Sequence, residues 1–114
     1  MNINRLLSLL GIARRAGKLS WGRDAVEESL RKGKAYLVLV AEDISAKTAA
    51  GVRFSAERAE TPVLVIHETI ESVSQAIGKR AGIVAVLDEG FAKKLKALAE
   101  ETAAGDAEKG RETI

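Results

Sequence analysis

The chain has 114 residues, 46% of them apolar and 30% charged, which is typical of one ordinary globular domain. It contains no cysteine and a single histidine, which excludes disulfides, thiolate metal sites and a zinc site built from histidines alone, so we expect no metal and no cofactor. No apolar run approaches the roughly 20 residues of a membrane span, so we expect a soluble, cytoplasmic protein without a membrane partner.

Charge is distributed unevenly along the chain, whose formal net charge is +2. Residues 1–34 contain eight Lys or Arg and three Asp or Glu, whereas residues 35–114 contain ten and thirteen. Such asymmetry indicates a basic face at one end of the fold, as expected of a surface that binds phosphate. A solvated helical surface that happens to be basic would give the same count, so both interpretations stay open.

The first third of the chain predicts two helices joined by a short strand. Apolar residues recur at helical spacing over residues 3–16, and Gly17 is a natural end for that helix. Residues 18–21 are compatible with a short strand, Gly22 begins a second helix, and Gly33 ends it.

The remaining chain alternates strands and helices. The continuous apolar run at 35–41 predicts a strand that is buried on both faces. Further strands are predicted at 63–66 and 83–87. Each of the three strands is followed by a predicted helix, and these helices span residues 45–59, residues 69–77 and the chain from about residue 90 onward.

This order of elements, with short links, predicts an α/β protein with a three-layer α/β/α sandwich. We expect residues 1–104 to form a single domain. The polar residues 105–114 are expected to form a disordered tail.

Three side chains at the ends of predicted strands could carry chemistry. His67 could act as a general base. Asp43 and Asp88 follow strands, as do the acidic residues of phospho-acceptor receiver domains. The acidic pair that such domains carry after their first strand is missing, however, and helix capping explains these carboxylates more simply. We therefore expect no catalytic residue and no enzyme activity, with catalysis near His67 as an open alternative.

The surroundings of Gly22 are more informative. Helix N-termini present free N–H groups to anions, and glycine lets another backbone approach closely. Trp21 could stack on a base, but packing beside the first helix is the interpretation that we favour. Basic residues flank this corner at Arg14, Arg15, Lys18 and Arg23. The corner therefore favours RNA docking, although helix-dipole effects and a tight turn would also account for these residues.

Several blocks stand in a recognisable order and spacing over about residues 3–98. The first is Leu-Leu-Gly-Ile-Ala-Arg-Arg-Ala-Gly-Lys-Leu at 9–19, and the last spans 84–95. Between them lie Gly22 with Asp24, residues 35–43, Thr48, Val52, Pro62 with Val63, and residues 77–79. Through these blocks the chain resembles the bacterial YlxQ-type proteins, a branch of the ribosomal L7Ae/L30e superfamily that binds kink-turn RNA.

The resemblance implies the same sandwich with a four-stranded mixed sheet and an RNA surface made from two parts. One part is the turn and start of the second helix, where the family's Gly-x-Asn-Glu-x-x-Lys pattern meets tandem G·A pairs. The other part is the loop after the third main strand, here residues 67–71, which supports the extruded base of the kink.

The chain departs from the family pattern in the second helix. Gly22 matches the glycine, whereas Asp24, Ala25 and Glu28 stand at the positions of asparagine, glutamate and lysine. An ionised Asp24 cannot donate a hydrogen bond, and Glu28 places an anion near phosphates. We therefore expect weaker binding to a standard kink-turn, binding to a variant RNA, or a site shifted toward basic residues that include Lys79 and Arg80.

The predicted function is RNA binding without catalysis, by a monomeric, ribosome-associated or kink-turn-type protein. The alternative is a protein-interaction adaptor of the same fold that has lost affinity for kink-turns, which Asp24, Ala25 and Glu28 suggest. The predicted RNA-binding residues are Arg14, Arg15, Lys18, Gly22, Arg23, Asp24, Glu28, Lys32, His67, Glu68, Thr69, Ile70 and Lys79.

Overall fold

The computed structural model describes residues 4–112 of the chain, and the side chains of residues 4–101. Helices and strands alternate in this part as predicted. In chain order the elements are α1 Arg5–Arg15, β1 Leu19–Trp21, α2 Arg23–Arg31, β2 Leu37–Ala41, α3 Ala46–Arg58, β3 Val63–Ile66, α4 Ile70–Ile77, β4 Ile83–Val86 and α5 Glu89–Glu112.

Three of the helices begin at a polar side chain that caps the first turn. The side-chain oxygens of Asn4, Ser45 and Thr69 accept hydrogen bonds from the backbone N–H three residues later, at 3.0, 3.2 and 3.1 Å. These N–H groups have no partner inside the helix, so the caps fix where α1, α3 and α4 start. Ser45 and Thr69 are the first residues of the helices predicted at 45–59 and 69–77, and the structure places them as the caps of α3 and α4.

The four strands form one mixed sheet in the order β1-β4-β2-β3. β4 runs antiparallel to both of its neighbours, whereas β2 and β3 are parallel. The carboxyl ends of β1, β2 and β3 therefore lie beside the amino end of β4, along the border of the sheet where the strands end and the loops begin. We call this the upper edge, and it is marked by the residues that adjoin the strand ends, Gly22, Glu42, His67 and Gly82.

Alternate side chains of the central strands enter two separate cores. Leu37 and Leu39 of β2 pack with residues of α1, α4 and α5, whereas Val38 and Val40 pack with residues of α2 and α3. Every residue of β2 is buried, as the apolar run at 35–41 predicts. The three-layer α/β/α sandwich with a four-stranded mixed sheet is thus confirmed.

The last helix continues further than the sequence predicts. α5 spans Glu89–Glu112 and so includes residues 105–112, where a disordered tail was the expectation. Five of the eight residues at 105–112 are alanine, glutamate, lysine or arginine, which have high helix propensity, and the two glycines among them do not end the helix. Residues 113–114 of the predicted tail lie outside the described residues. Neither α5 nor any other helix of residues 4–112 is long and apolar enough to cross a membrane.

Candidate functional site

Gly22, which follows β1, has a backbone conformation that other residues rarely adopt. Its φ of 86° and ψ of 156° lie in a region that is essentially restricted to glycine, and its N–H donates to the Ile83 carbonyl at 3.0 Å. A Cβ built on Gly22 would meet no other heavy atom within 4 Å. The corner is therefore open, and Gly22 provides no side-chain cap for the first turn of α2.

Arg23 begins α2 and extends across α3. Its Nη2 lies 3.1 Å from the position that a Cβ on Gly51 would occupy, so glycine on α3 leaves room for the guanidinium. Its Nε lies 3.7 Å from Oε1 of Glu27, which also accepts a hydrogen bond from the Ser55 hydroxyl at 3.4 Å. Arg23 thus connects the two helices while about half of its side chain, 52%, stays exposed.

Arg14 packs on Trp21 instead of extending into solvent. Its guanidinium carbon lies 4.7 Å from the centroid of the Trp21 ring, and its Nε is buried without a hydrogen-bond partner. Trp21 is partly buried against the core beneath α1, as the favoured interpretation predicts. This geometry gives Arg14 a packing role beside the Gly22 corner.

Three of the predicted cations are not gathered around Gly22. Arg15 lines a groove between α1 and α4. The Lys18 carbonyl accepts a hydrogen bond from Leu87, which follows β4, so Lys18 and Gly22 lie at opposite ends of β1. Lys32 follows α2, about 15 Å along the helix axis from Gly22. The predicted basic residues therefore do not form one cluster around Gly22. Arg15 lies beside α4, Lys18 lies at the far end of β1, and Lys32 lies at the far end of α2.

The loop at residues 67–70 lies at the same upper edge as Gly22. The Glu68 carbonyl accepts a hydrogen bond from the Glu42 N–H at 2.9 Å, and the Asp43 carboxylate accepts one from the Ile70 N–H at 2.8 Å. These two bonds fix the loop after β3 to the loop after β2. The second part of the predicted RNA surface is therefore held in place by two bonds to the loop after β2.

The upper edge carries acidic as well as basic side chains. His67 Nδ1 lies 3.8 Å from Glu42 Oε1, and the Asn4 amide donates a hydrogen bond to the Glu68 carboxylate. The Asp43 carboxylate caps α4. Each of these three carboxylates therefore has a partner within the protein, but the edge is less cationic than the sequence predicts.

Gly82, which the sequence analysis did not single out, brings the loops of the upper edge together. A Cβ at this position would lie 2.7 Å from both Ile44 Cδ1 and Ile70 Cγ1. Its carbonyl accepts a hydrogen bond from Ala41, and it directly precedes Ile83, the backbone partner of Gly22. Glycine thus lets two isoleucines pack over the start of β4, and the sequence signal was a glycine immediately before a predicted strand.

The outer face of α2 exposes the three residues that depart from the family pattern, Asp24, Ala25 and Glu28. The Lys32 ammonium lies 2.9 Å from Glu28 Oε1. This hydrogen bond is the main reason that the pKa of Glu28 lies below its ordinary value, and the positive charge of Lys32 lowers it further. Glu28 is therefore ionised at neutral pH and paired with Lys32.

Lys79 and Arg80 are exposed in the turn that follows α4. The Ser74 hydroxyl shapes this turn, because it donates to the Ala81 carbonyl at 3.1 Å and accepts from the Ala81 N–H at 2.9 Å. Arg80 is only two residues from Gly82, at most about 7 Å along an extended chain. This basic pair is therefore within side-chain reach of the upper edge.

The carboxylates considered for receiver-type chemistry lie far apart in the sheet. Asp43 follows β2 and Asp88 follows β4, and these strands run antiparallel, so the two residues lie at opposite edges. Each caps a helix, Asp43 through Ile70 N–H and Asp88 through Phe91 N–H at 2.9 Å. Across the residues that the structure describes, no three His, Cys, Asp or Glu side chains are grouped to hold a metal ion. The receiver interpretation is therefore wrong.

The structure is that of a small α/β/α protein. At its upper edge, α2 begins at the open Gly22 corner, and the loop at residues 67–70 lies along the same edge. Comparison with known proteins gives the family. The model of the Ribosomal protein L7Ae/L30e/S12e/Gadd45 family matches residues 4–96, and the chain belongs to this family. The resemblance found in the sequence is thereby confirmed.

Curated relatives cover most of the chain. The protein named RNA-binding protein YlxQ in Enterococcus faecium is 36% identical over 87% of this chain and 95% of its own length. Its namesake in Bacillus subtilis (strain 168) is 40% identical over 79% and 90%. A large ribosomal subunit protein eL30, from Eremothecium gossypii, is 32% identical over 86% and 92%.

A solved structure shares the fold at similar coverage. It is that of a Bacillus halodurans protein of unknown function, and it superposes with a TM-score of 0.81 at 31% identity. The match covers 86% of this chain and 99% of that one.

Proposed function

We propose that this protein binds structured RNA of the kink-turn type at the upper edge of its sheet. The observation that carries the proposal is that Gly22 and the loop at 67–70 lie at the same edge, joined through Gly82 and Ile83. These are the two parts that the family resemblance assigns to the RNA surface. The names of the relatives, RNA-binding protein and ribosomal subunit protein, support the same function.

The Gly22 corner has the properties that an RNA backbone requires. Without a Cβ, Gly22 lets a phosphate approach the first turn of α2, whose N–H groups receive no side-chain cap. Arg23 supplies positive charge at this turn, and Lys79 and Arg80 supply it within side-chain reach of the upper edge. Phosphate contacts of this kind position the RNA, while recognition of its shape comes from the arrangement of the two parts.

The second part of the surface offers an apolar support for an unpaired base. Ile44 and Ile70 pack together over Gly82 and are partly buried, so each leaves some apolar surface exposed at the edge. An extruded base that lies on these side chains would bury apolar area without displacing a charged group. The caps at Asp43 and Thr69 hold this support rigid.

We propose further that the protein acts as a monomer in the cytoplasm and associates with the ribosome, without catalysis. A large ribosomal subunit protein eL30 is among the relatives, which supports association with the ribosome. On this proposal, residues 1–104 contain the whole RNA-binding surface.

A protein-interaction adaptor is the second candidate, and the outer face of α2 favours it. Asp24, Ala25 and Glu28 leave this face without the asparagine, glutamate and lysine of the family pattern, and Glu28 keeps its negative charge. Recovery of a protein partner through this face, with no RNA bound, would favour the adaptor.

The test is an electrophoretic mobility shift with a consensus kink-turn RNA and a straight duplex of equal length. We expect the kink-turn to bind more tightly than the duplex. If about four phosphates are neutralised, the affinity should fall about 100-fold between roughly 50 and 200 mM salt, because released counterions oppose binding. Absent binding, equal affinity for both RNAs, or no salt dependence would overturn the proposal.

A further inference from the structure

Phe54 is an exposed aromatic residue on α3 that takes no part in either core. Its side chain is 63% exposed, the highest value among the exposed large apolar residues of the described chain. The guanidinium carbon of Arg58, one helical turn later, lies 5.8 Å from the centroid of the Phe54 ring. A single exposed aromatic residue is common at protein surfaces and gains significance only from the groove that it lines.

Phe54 lines a groove between α2 and α3. The groove has a volume of about 560 Å³, within the usual range of small-ligand sites. Its walls combine one aromatic ring, two guanidinium groups, one hydroxyl and aliphatic side chains, with no carboxylate among them. The lining residues are Leu30, Arg31, Phe54, Ser55, Arg58 and Ala59.

The acidic residue nearest to this groove on α2 is already engaged. Glu27 contacts Arg23 and accepts a hydrogen bond from Ser55, a residue of the groove wall. Arg23 lies against Gly51, which is one helical turn before Phe54 on α3. Arg23 and Glu27 therefore lie between the Gly22 corner and the groove, along the contact of α2 with α3.

We infer that this groove binds an unpaired nucleotide that flanks the structured part of the RNA. The base stacks on Phe54, and Arg31 and Arg58 contact the adjoining phosphates. Every base has a π-face, and guanidinium groups match phosphate geometry, so this combination fits a single strand of little sequence preference. The inference rests on the proposed function, because it extends the RNA footprint from the upper edge along α2 and α3.

The experiment uses the full chain and four RNA probes. They are a kink-turn with blunt ends, two versions of that kink-turn that each carry a six-nucleotide unpaired extension at one end, and a single-stranded oligouridine. A 4-thiouridine in the unpaired segment gives a photo-crosslink, and trypsin places that crosslink on a peptide. Cleavage after Lys18 and Arg23 releases residues 19–23 from the Gly22 corner, whereas cleavage after Arg53 and Arg58 releases residues 54–58 from the groove.

The variants separate aromatic stacking from simple apolar contact. Phe54→Leu keeps an apolar side chain and loses the ring, whereas Phe54→Tyr keeps the ring. Tyr36→Leu removes another exposed ring, which lies before β2 at the opposite end from the upper edge. Because Phe54 and Tyr36 are exposed and pack in neither core, we expect all three proteins to fold, as circular dichroism would verify.

We expect one extension to raise the affinity of the kink-turn at least about fivefold and to crosslink to residues 54–58. Phe54→Leu should remove this gain and leave the affinity for the blunt kink-turn unchanged, while Phe54→Tyr and Tyr36→Leu retain the gain. If neither extension contributes, or the crosslink falls elsewhere, the inference is overturned and the proposed function stands.

The crosslink of the oligouridine probe tests the inference even if no kink-turn binds. A crosslink from oligouridine to residues 54–58 that Phe54→Leu abolishes would then support the groove while the proposed function fails. The absence of that crosslink would overturn both. Loss of a bound protein in Phe54→Leu, with every RNA affinity unchanged, would assign the groove to a protein partner and overturn the inference.

Discussion

The guanidinium of Arg14 lies over the ring of Trp21, with 4.7 Å between its central carbon and the ring centroid. This contact joins the end of α1 to the end of β1, one residue before Gly22. A cation that stacks on an aromatic face gains electrostatic stabilisation and covers part of the ring. The contact therefore supports the Gly22 corner from the side of α1.

Replacing Arg14 by alanine should uncover the Trp21 ring and loosen this support. Trp21 is the only tryptophan, so its fluorescence reports the contact directly. In Arg14→Ala we expect emission at longer wavelength and a free energy of unfolding lower by about 1 kcal/mol. The control is Arg15→Ala, because Arg15 lies in the groove between α1 and α4. An equal spectral shift in both variants would contradict the assigned contact.

Replacing Gly22 by alanine should destabilise the fold through the backbone alone. Alanine has space for its Cβ but must adopt a conformation that glycine alone readily tolerates, at a cost of about 1–3 kcal/mol. Gly78→Ala is a matched control, because Gly78 also has open space around a Cβ but adopts the left-handed helical conformation. There the expected loss is about 1 kcal/mol. Urea denaturation that ranks the two variants in the opposite order would contradict this assignment.

The caps at Asp43 and Asp88 allow stability to be separated from RNA binding. Each accepts a backbone hydrogen bond at the start of a helix, so Asp43→Ala and Asp88→Ala should each lower the unfolding free energy by about 1 kcal/mol. Only Asp43 lies at the upper edge, so only Asp43→Ala should weaken kink-turn binding, by about fivefold or more. Equal losses of affinity, measured by fluorescence anisotropy under conditions where both variants are folded, would place the RNA elsewhere.

Replacing Glu28 by lysine should strengthen binding to a standard kink-turn. The change restores the cation of the family pattern and removes an anion near the phosphates, so we expect a gain of about tenfold at low salt. The new lysine faces Lys32 four residues later, which should cost a few tenths of a kcal/mol in helix stability. The control Glu100→Lys makes the same charge change on α5. If Glu28→Lys gains no more than this control, the outer face of α2 does not contact RNA.

The elements of the fold were predictable because local patterns determine them. The apolar run at 35–41 requires cover on both faces, and Ser45 and Thr69 cap helices through contacts only three residues apart. Predicted and observed elements begin within two residues of one another in the described part. The end of α5 was not predicted, because residues of high helix propensity continue the helix past its two glycines.

The arrangement of the site was less predictable because it depends on strand order. The insertion of β4 between β1 and β2 places Asp43 and Asp88 at opposite edges, and Leu87 beside Lys18. No pattern within one segment contains this information. The role of Gly82 likewise follows from contacts with two loops that are distant in sequence. The importance of Gly22 could be predicted, because a glycine at the start of a helix affects only the backbone next to it.

The most direct test of the RNA surface is a map of backbone amide shifts in the full chain on addition of a consensus kink-turn. We expect the largest changes at Gly22, Arg23 and residues 67–70, and smaller changes at these amides when a straight duplex is added. Amides of the exposed face of α5 should stay unchanged. Changes centred on α5, or an unaltered Gly22 in a saturated complex, would contradict the claim that RNA binds at the upper edge.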